Sequence, residues 1–286
     1  MTIKTLPGAP EGRPCAGVTS HLQARALDRW NAGVQAADKE DERTISVYDV
    51  IGHDYWTGEG VTAKRISGAL RALGKGAITV NVNSPGGDMF EGLAIYNLLR
   101  EHDGEVTVKV LGLAASAASV IAMAGDKVQI ARAGFLMIHN AWVMAVGNRH
   151  DLSDLAATLK PFDDAMAGIY AARTGKDAKA MAKLMDSETW IGGETAIEDG
   201  FADELLPSDQ VSKGAAKASA SAVRRIESAL RASGMPKSEA VRLISEFKAS
   251  AGDPAGGGEG DPTGRADCGS LSETAALAAA LTSIHY

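Results

Sequence analysis

Gly112-Leu-Ala-Ala-Ser-Ala-Ala-Ser-Val-Ile-Ala-Met-Ala-Gly125 decides how the rest of the chain is read. A β-type alternation leads into it, with Val106, Val108 and Val110 on one side of Glu105–Leu111. After Gly112 the side chains shrink to alanine and serine, and an apolar helical run follows. The spacing predicts a strand that stops at Gly112 and restarts as a helix of very small residues. Such a junction lets two backbones approach closely and leaves the first helical N–H groups open toward a ligand. Ser116 sits at that junction, flanked by alanines, and is the candidate nucleophile. Ser119 lies one turn further on, where a hydroxyl bonds back to the chain.

Outward from this stretch, strands alternate with helices. Thr44–Ile51, Ala77–Asn83, Lys127–Ile130 and Phe135–Ile138 read as strands. Helices are expected over about 62–73 and from Met89, with Leu93, Ile95, Leu98 and Leu99 at helical spacing. A long amphipathic helix is expected from Asp151 to the stop at Gly175, kinked at Pro161, and a shorter one over about 177–185. This order implies an α/β fold with a mainly parallel sheet. Residues 1–43 read as a flexible N-terminal arm with a short helix capped by Ser20, and 44–207 as the compact domain. Residues 208–286 read as a linker and helical C-terminal extension, partly disordered, with a helical hairpin over 223–248.

Composition narrows the function. A net charge of −7, from 29 basic and 36 acidic residues, argues against a nucleic-acid binder. The apolar run at 110–124 is too short and serine-studded to span a bilayer, and no basic leader precedes an apolar segment. Cys15 and Cys268 lie in opposite terminal regions and form no metal spacing or disulfide framework, which fits a reducing cytoplasm. No His/Asp/Glu cluster has metal-ligand spacing, so neither metal nor cofactor is expected.

Two other strand ends carry chemistry. Asn83-Ser84-Pro85-Gly86-Gly87 is a glycine turn whose N–H groups suit an oxyanion, with Ser84 fixing the turn. Phe135-Leu-Met-Ile-His139-Asn140 is an apolar strand ending in an imidazole placed to serve Ser116 as a base. His53, His102, His150 and His285 lie in polar or terminal stretches and read as solvated.

Together, Asn83–Gly87, Gly112–Ala118, Met137–His139 and the closing Glu188-Thr-Trp-Ile191 with Ala196–Asp203 resemble the Clp-type serine peptidases over about residues 44–206. In detail the chain is similar to the Clp-like head-maturation proteases of tailed phages. The segments carrying that likeness are Asp54–Gly60, Ala114–Asp126 and Ile138–Trp142, with the long helical tail. The resemblance implies a ClpP/crotonase-like fold of stacked βα units with a protruding long helix. It implies Ser116 as nucleophile, His139 as general base, and the backbone N–H groups of Gly87 and Ala117 as the oxyanion hole. The family's triad acid falls on Glu188, with Asp186 as the alternative. The activity implied is a serine endopeptidase cutting scaffold, capsid or portal proteins during phage head assembly. Its setting would be a homo-oligomeric ring in the host cytoplasm or prohead, without nucleic-acid or membrane partners; an ATPase partner stays open. The alternatives are a crotonase-fold acyl-CoA enzyme, which has no need of Ser116 and His139, or an inactive scaffold protein on the same fold.

Overall fold

A seven-stranded sheet carries the site in a computed structural model that describes residues 5–10, 22–36, 42–54, 60–207, 211–213 and 218–251. Ser20, Cys15, Cys268, His285, most of the acidic connector at 37–43 and residues 55–59 of the Asp54–Gly60 segment lie outside these residues, as does the chain after 251.

The elements in chain order are α1 (Ala24–Arg29), β1 (Val34–Ala36), β2 (Thr44–Val47), α2 (Ala63–Leu73), β3 (Ile78–Ser84), α3 (Met89–Arg100), β4 (Val106–Ala115), α4 (Ala117–Ala122), β5 (Lys127–Ala131) and β6 (Phe135–Ile138). Then follow α5 (Arg149–Thr174), α6 (Ala178–Asp186), β7 (Thr189–Gly192), α7 (Gly193–Glu198), β8 (Glu204–Leu206), β9 (Val211–Lys213), α8 (Ala218–Ala232) and α9 (Lys237–Ala251). The sheet runs β2-β3-β4-β5-β8, all parallel, with β6 parallel to β4 and β7 antiparallel to β6. The α/β architecture read from the sequence is therefore present. Val80, Val82, Val108, Val110, Val128 and Ile130 are fully buried at its centre, as expected for a parallel sheet covered on both faces.

One expectation is corrected. The central strand does not stop at Gly112; β4 continues to Ala115. Its first half pairs with β5 through Val110↔Ile130, and its second half with β6 through Leu113↔Phe135 to Ala115↔Met137. Gly112 marks the change of partner, because a new strand supplies acceptors where the old one ends. Downstream, α5 opens on a capping box formed by Asn148 and Asp151 and runs on through Pro161 as one element. Its far end is anchored by the buried Arg173, which donates to the carbonyl oxygens of Gly125 (3.0 Å) and Phe201 (3.3 Å) and pairs with Asp203. No described helix is long and apolar enough to cross a membrane.

Parts of the region read as a flexible arm pack into the structure. Leu27 (1% exposed), Ala26 and Trp30 bury against Leu113, Ala115 and Met137, on the face of the β4–β6 half of the sheet turned away from the main core. Asn83 is the fastening. Its Nδ2 donates to the carbonyls of Asn31 (2.8 Å) and Val34 (3.0 Å), its Oδ1 accepts from the Leu113 N–H (3.0 Å), and its own carbonyl accepts from Trp30 Nε1 (3.0 Å). Residues 7–9 are held likewise, with Asn97 exchanging two hydrogen bonds with Ala9 and Tyr96 donating to the Pro7 carbonyl. In the region read as a linker, β9 pairs antiparallel with β1 and α8 begins at Ala218. Residues 1–244 make one compact unit, and the second, 245–286, begins within α9.

Asn83→Ala leaves two carbonyls and one N–H without their side-chain partner, so it should cost about 3 kcal/mol in urea unfolding. It should also speed amide exchange across 24–36, read by mass spectrometry. Unchanged exchange there would mean that Asn83 does not fasten the N-terminal segment.

Candidate active site

β4 delivers Ser116 in an unusual backbone conformation, φ 54° and ψ −124°, between the last strand residue and the first helical one. A side chain at positive φ costs about 1–3 kcal/mol and persists only where its surroundings over-determine it. Here they do. The Ser116 N–H donates to the Met137 carbonyl (2.8 Å), and its own carbonyl accepts from the Ser119 N–H (2.9 Å) and hydroxyl (2.6 Å). The Ser119 hydroxyl is also bonded to Tyr170 (2.8 Å) and is fully buried, which leaves it a structural part. Ser116 is half-buried, and its Oγ lies 2.7 Å from His139 Nε2.

The Gly86–Gly87 turn packs against this junction. A Cβ on Gly86 would come within 2.8 Å of the Ser116 Cβ, and one on Gly87 would overlap the Ile51 carbonyl; both residues have positive φ. Ile51 pairs with the turn, its N–H donating to the Gly86 carbonyl (2.8 Å) and its carbonyl accepting from Asp88 N–H (2.9 Å). That bridge uses the atoms on either side of Gly87, so the Gly87 N–H faces away from Ile51. The Ala117 N–H opens α4, ahead of the first intrahelical hydrogen bond. Ser84 fixes the turn as its sequence suggests: its hydroxyl donates to the Asp49 carbonyl (2.6 Å) and accepts from Gly86 N–H (3.2 Å). Asp88 then caps α3 through the N–H groups of Phe90 and Glu91.

Around His139, burial pushes the imidazole below its ordinary range, while the Glu188 carboxylate and a backbone hydrogen bond at Asn140 pull it up. The neutral ring prevails at pH 7. The two acids weighed in the sequence part company. Glu188 is half-buried at φ 46°, its Oε1 accepting from Trp190 Nε1 (3.3 Å) and pairing with Arg25 (3.5 Å), and its charge acts on His139. Asp186 is exposed and accepts from Asn140 Nδ2 (2.7 Å) instead. Among the described residues no hydrogen bond joins Glu188 to His139, so its influence there is Coulombic.

A pocket opens beside Ser116 and His139, walled by Met89, Ala117, Met166 and Tyr170. Asp163, from the middle of α5, accepts from the Ala141 N–H (2.6 Å) at its rim, and burial holds its carboxyl above the usual range. Sequence reasoning missed Asp163, because nothing in its pattern separates it from the solvated acids of the same helix. Among the described residues no group of His, Cys, Asp and Glu is arranged to hold a metal ion. His53 and His150 are exposed, and His102 sits far from this site on the Gly76 carbonyl (2.7 Å).

Residues 57–209 match the Clp protease family. The ATP-dependent Clp protease proteolytic subunit of Deinococcus radiodurans is 29% identical over 139 residues, 48% of this chain and 68% of that protein. Proteolytic subunit 1 of the ATP-dependent Clp protease of Protochlamydia amoebophila is 29% identical over 172 residues, 59% of this chain and 82% of that one. A solved structure of a ClpP1 mutant from Listeria monocytogenes is 22% identical, covering 58% of this chain and 92% of its own, with a TM-score of 0.49. The chain belongs to the Clp protease family.

Proposed function

We propose that the chain is a serine endopeptidase whose peptidase domain spans residues 44–207, with Ser116 as nucleophile, His139 as general base and Glu188 as the acid that favours the imidazolium. The observation that carries this reading is the 2.7 Å contact between Ser116 Oγ and a histidine held neutral by burial. A neutral Nε2 takes the hydroxyl proton as Oγ bonds to the peptide carbonyl carbon. The carbonyl oxygen gains negative charge, which the N–H groups of Gly87 and Ala117 stabilise. The C–N bond then breaks, the amine leaves with the proton from His139, and water repeats the sequence on the acyl-enzyme. A crotonase-type enzyme has no use for this Ser–His contact.

The finer reading is the one implied by the sequence resemblance: a head-maturation protease acting on capsid, scaffold or portal polypeptides as a homo-oligomeric ring in the host cytoplasm or prohead. The Ala114–Asp126 and Ile138–Trp142 segments support it, as they frame the site. Co-expression with capsid, scaffold and portal proteins of a tailed phage should yield new termini, read by mass spectrometry, that vanish in Ser116→Ala. Identical termini with both enzymes would contradict the substrate assignment.

Chemistry at Ser116 is read by a fluorophosphonate probe: wild type should label and Ser116→Ala should not. The labelling rate should rise with pH as His139 loses its proton, with a midpoint below the 6.5 of an ordinary imidazole. Glu188 raises the His139 pKa, so Glu188→Gln should move the midpoint lower still and slow labelling about tenfold. Asp186→Asn should leave the midpoint in place. The opposite pattern would make Asp186 the acid.

A further inference from the structure

Arg224 of α8 lies outside the family-matched residues 57–209 and is buried, 6% exposed. Its Nε and Nη2 donate to Asp54 Oδ2 (3.1 and 2.6 Å), and Nη2 also pairs with Asp49 Oδ1 (2.8 Å). Asp54 is equally buried. These two acids bracket Ile51, the residue whose backbone holds Gly86 and Asp88 on either side of Gly87. The Asp49 carbonyl also receives the Ser84 hydroxyl, which in turn fixes Gly86. A second path runs to the same turn: the Arg224 guanidinium stands 5.5 Å above the Trp30 ring, and Trp30 Nε1 donates to the Asn83 carbonyl.

We propose that Arg224 is a positioning residue for the Gly87 N–H, so that the C-terminal extension holds the oxyanion turn in its working geometry. The physical reason is charge. One buried cation bridges two carboxylates, and without it the buried Asp54 loses both guanidinium donors while a second carboxylate, Asp49, stays close by. Repulsion then displaces residues 49–54, and Ile51 carries the displacement into the turn through two backbone hydrogen bonds. Oxyanion stabilisation falls steeply with such misplacement, because the donor must meet the oxygen where charge develops. Secondary contacts keep α8 in place: Arg225 pairs with Asp28 (2.8 Å), and the Ser228 hydroxyl donates to the Leu22 carbonyl (3.2 Å).

This inference rests on the reading of Ser116 and His139 as a peptidase site, and the test separates the two. Full-length wild type, Arg224→Ala and Arg224→Lys are labelled with a fluorophosphonate over a range of probe concentrations, which resolves the limiting rate from the half-saturating concentration. Arg224→Ala should lose about 10- to 100-fold in limiting rate, with half-saturation moved less than about twofold and the final labelled fraction as in wild type. Arg224→Lys keeps a cation without the fork and should fall between them. A lower labelled fraction at wild-type limiting rate would mean that Arg224 only supports folding, and would overturn the proposal. Should Arg224→Ala fail to fold, the lysine variant decides: a reduced limiting rate supports the proposal and a wild-type one overturns it. Absence of Ser116-dependent labelling in wild type would remove the peptidase reading, and this inference with it.

Discussion

The hydrogen bond from the Ser116 N–H to the Met137 carbonyl sets the spacing on which the candidate site depends. It is the last rung of the β4–β6 ladder, one residue beyond the Ala115↔Met137 pair. Ser116 thus leaves the sheet opposite Ile138, and His139 is the next residue of the facing strand. Parallel pairing brings the two side chains within 2.7 Å, Ser116 and His139 each lying one residue past the end of its strand. It also holds Ser116 at positive φ, where the hydroxyl stands clear of the helix that follows. The change of partner at Gly112 is what makes this rung available, since β5 pairs only with the first half of β4.

Electrostatics at the site balance two opposed effects on His139, and burial wins. A base that is neutral at pH 7 can take the serine proton. A carboxylate nearby then favours the imidazolium that forms. Glu188 stands in that field without a hydrogen bond to the ring, and its carboxylate is shared with Trp190 and Arg25. The short helix α1 reaches Glu188 through Arg25, and α8 reaches Asp49 and Asp54 through Arg224. Both helices lie outside the family-matched residues, which hold Ser116 and His139. The surrounding segments hold parts of their frame.

Much of this was legible in the sequence where the signal is local. Valine alternation marked β3 and β4, and Gly175 marked the end of α5. The pattern of small residues singled out Ser116, and the apolar run ending in His139 located its neighbour. The end of β4 is not legible locally, because a glycine followed by alanines looks like a strand terminus; only the partner strand β6, more than twenty residues away, carries the ladder on. The docking of α1 and the Arg224 bridge to Asp54 leave no periodic trace, as the latter joins residues 170 apart. Nor could spacing choose between Glu188 and Asp186, since the turn at positive φ that separates them depends on its tertiary setting.

A crystal structure of the fluorophosphonate adduct tests the Ser116 site most directly. Phosphorus should be bonded to Ser116 Oγ, with the phosphoryl oxygen about 3 Å from the N–H groups of Gly87 and Ala117. His139 Nε2 should remain beside Oγ. An adduct on another residue, or a phosphoryl oxygen turned to solvent away from both N–H groups, would contradict this arrangement.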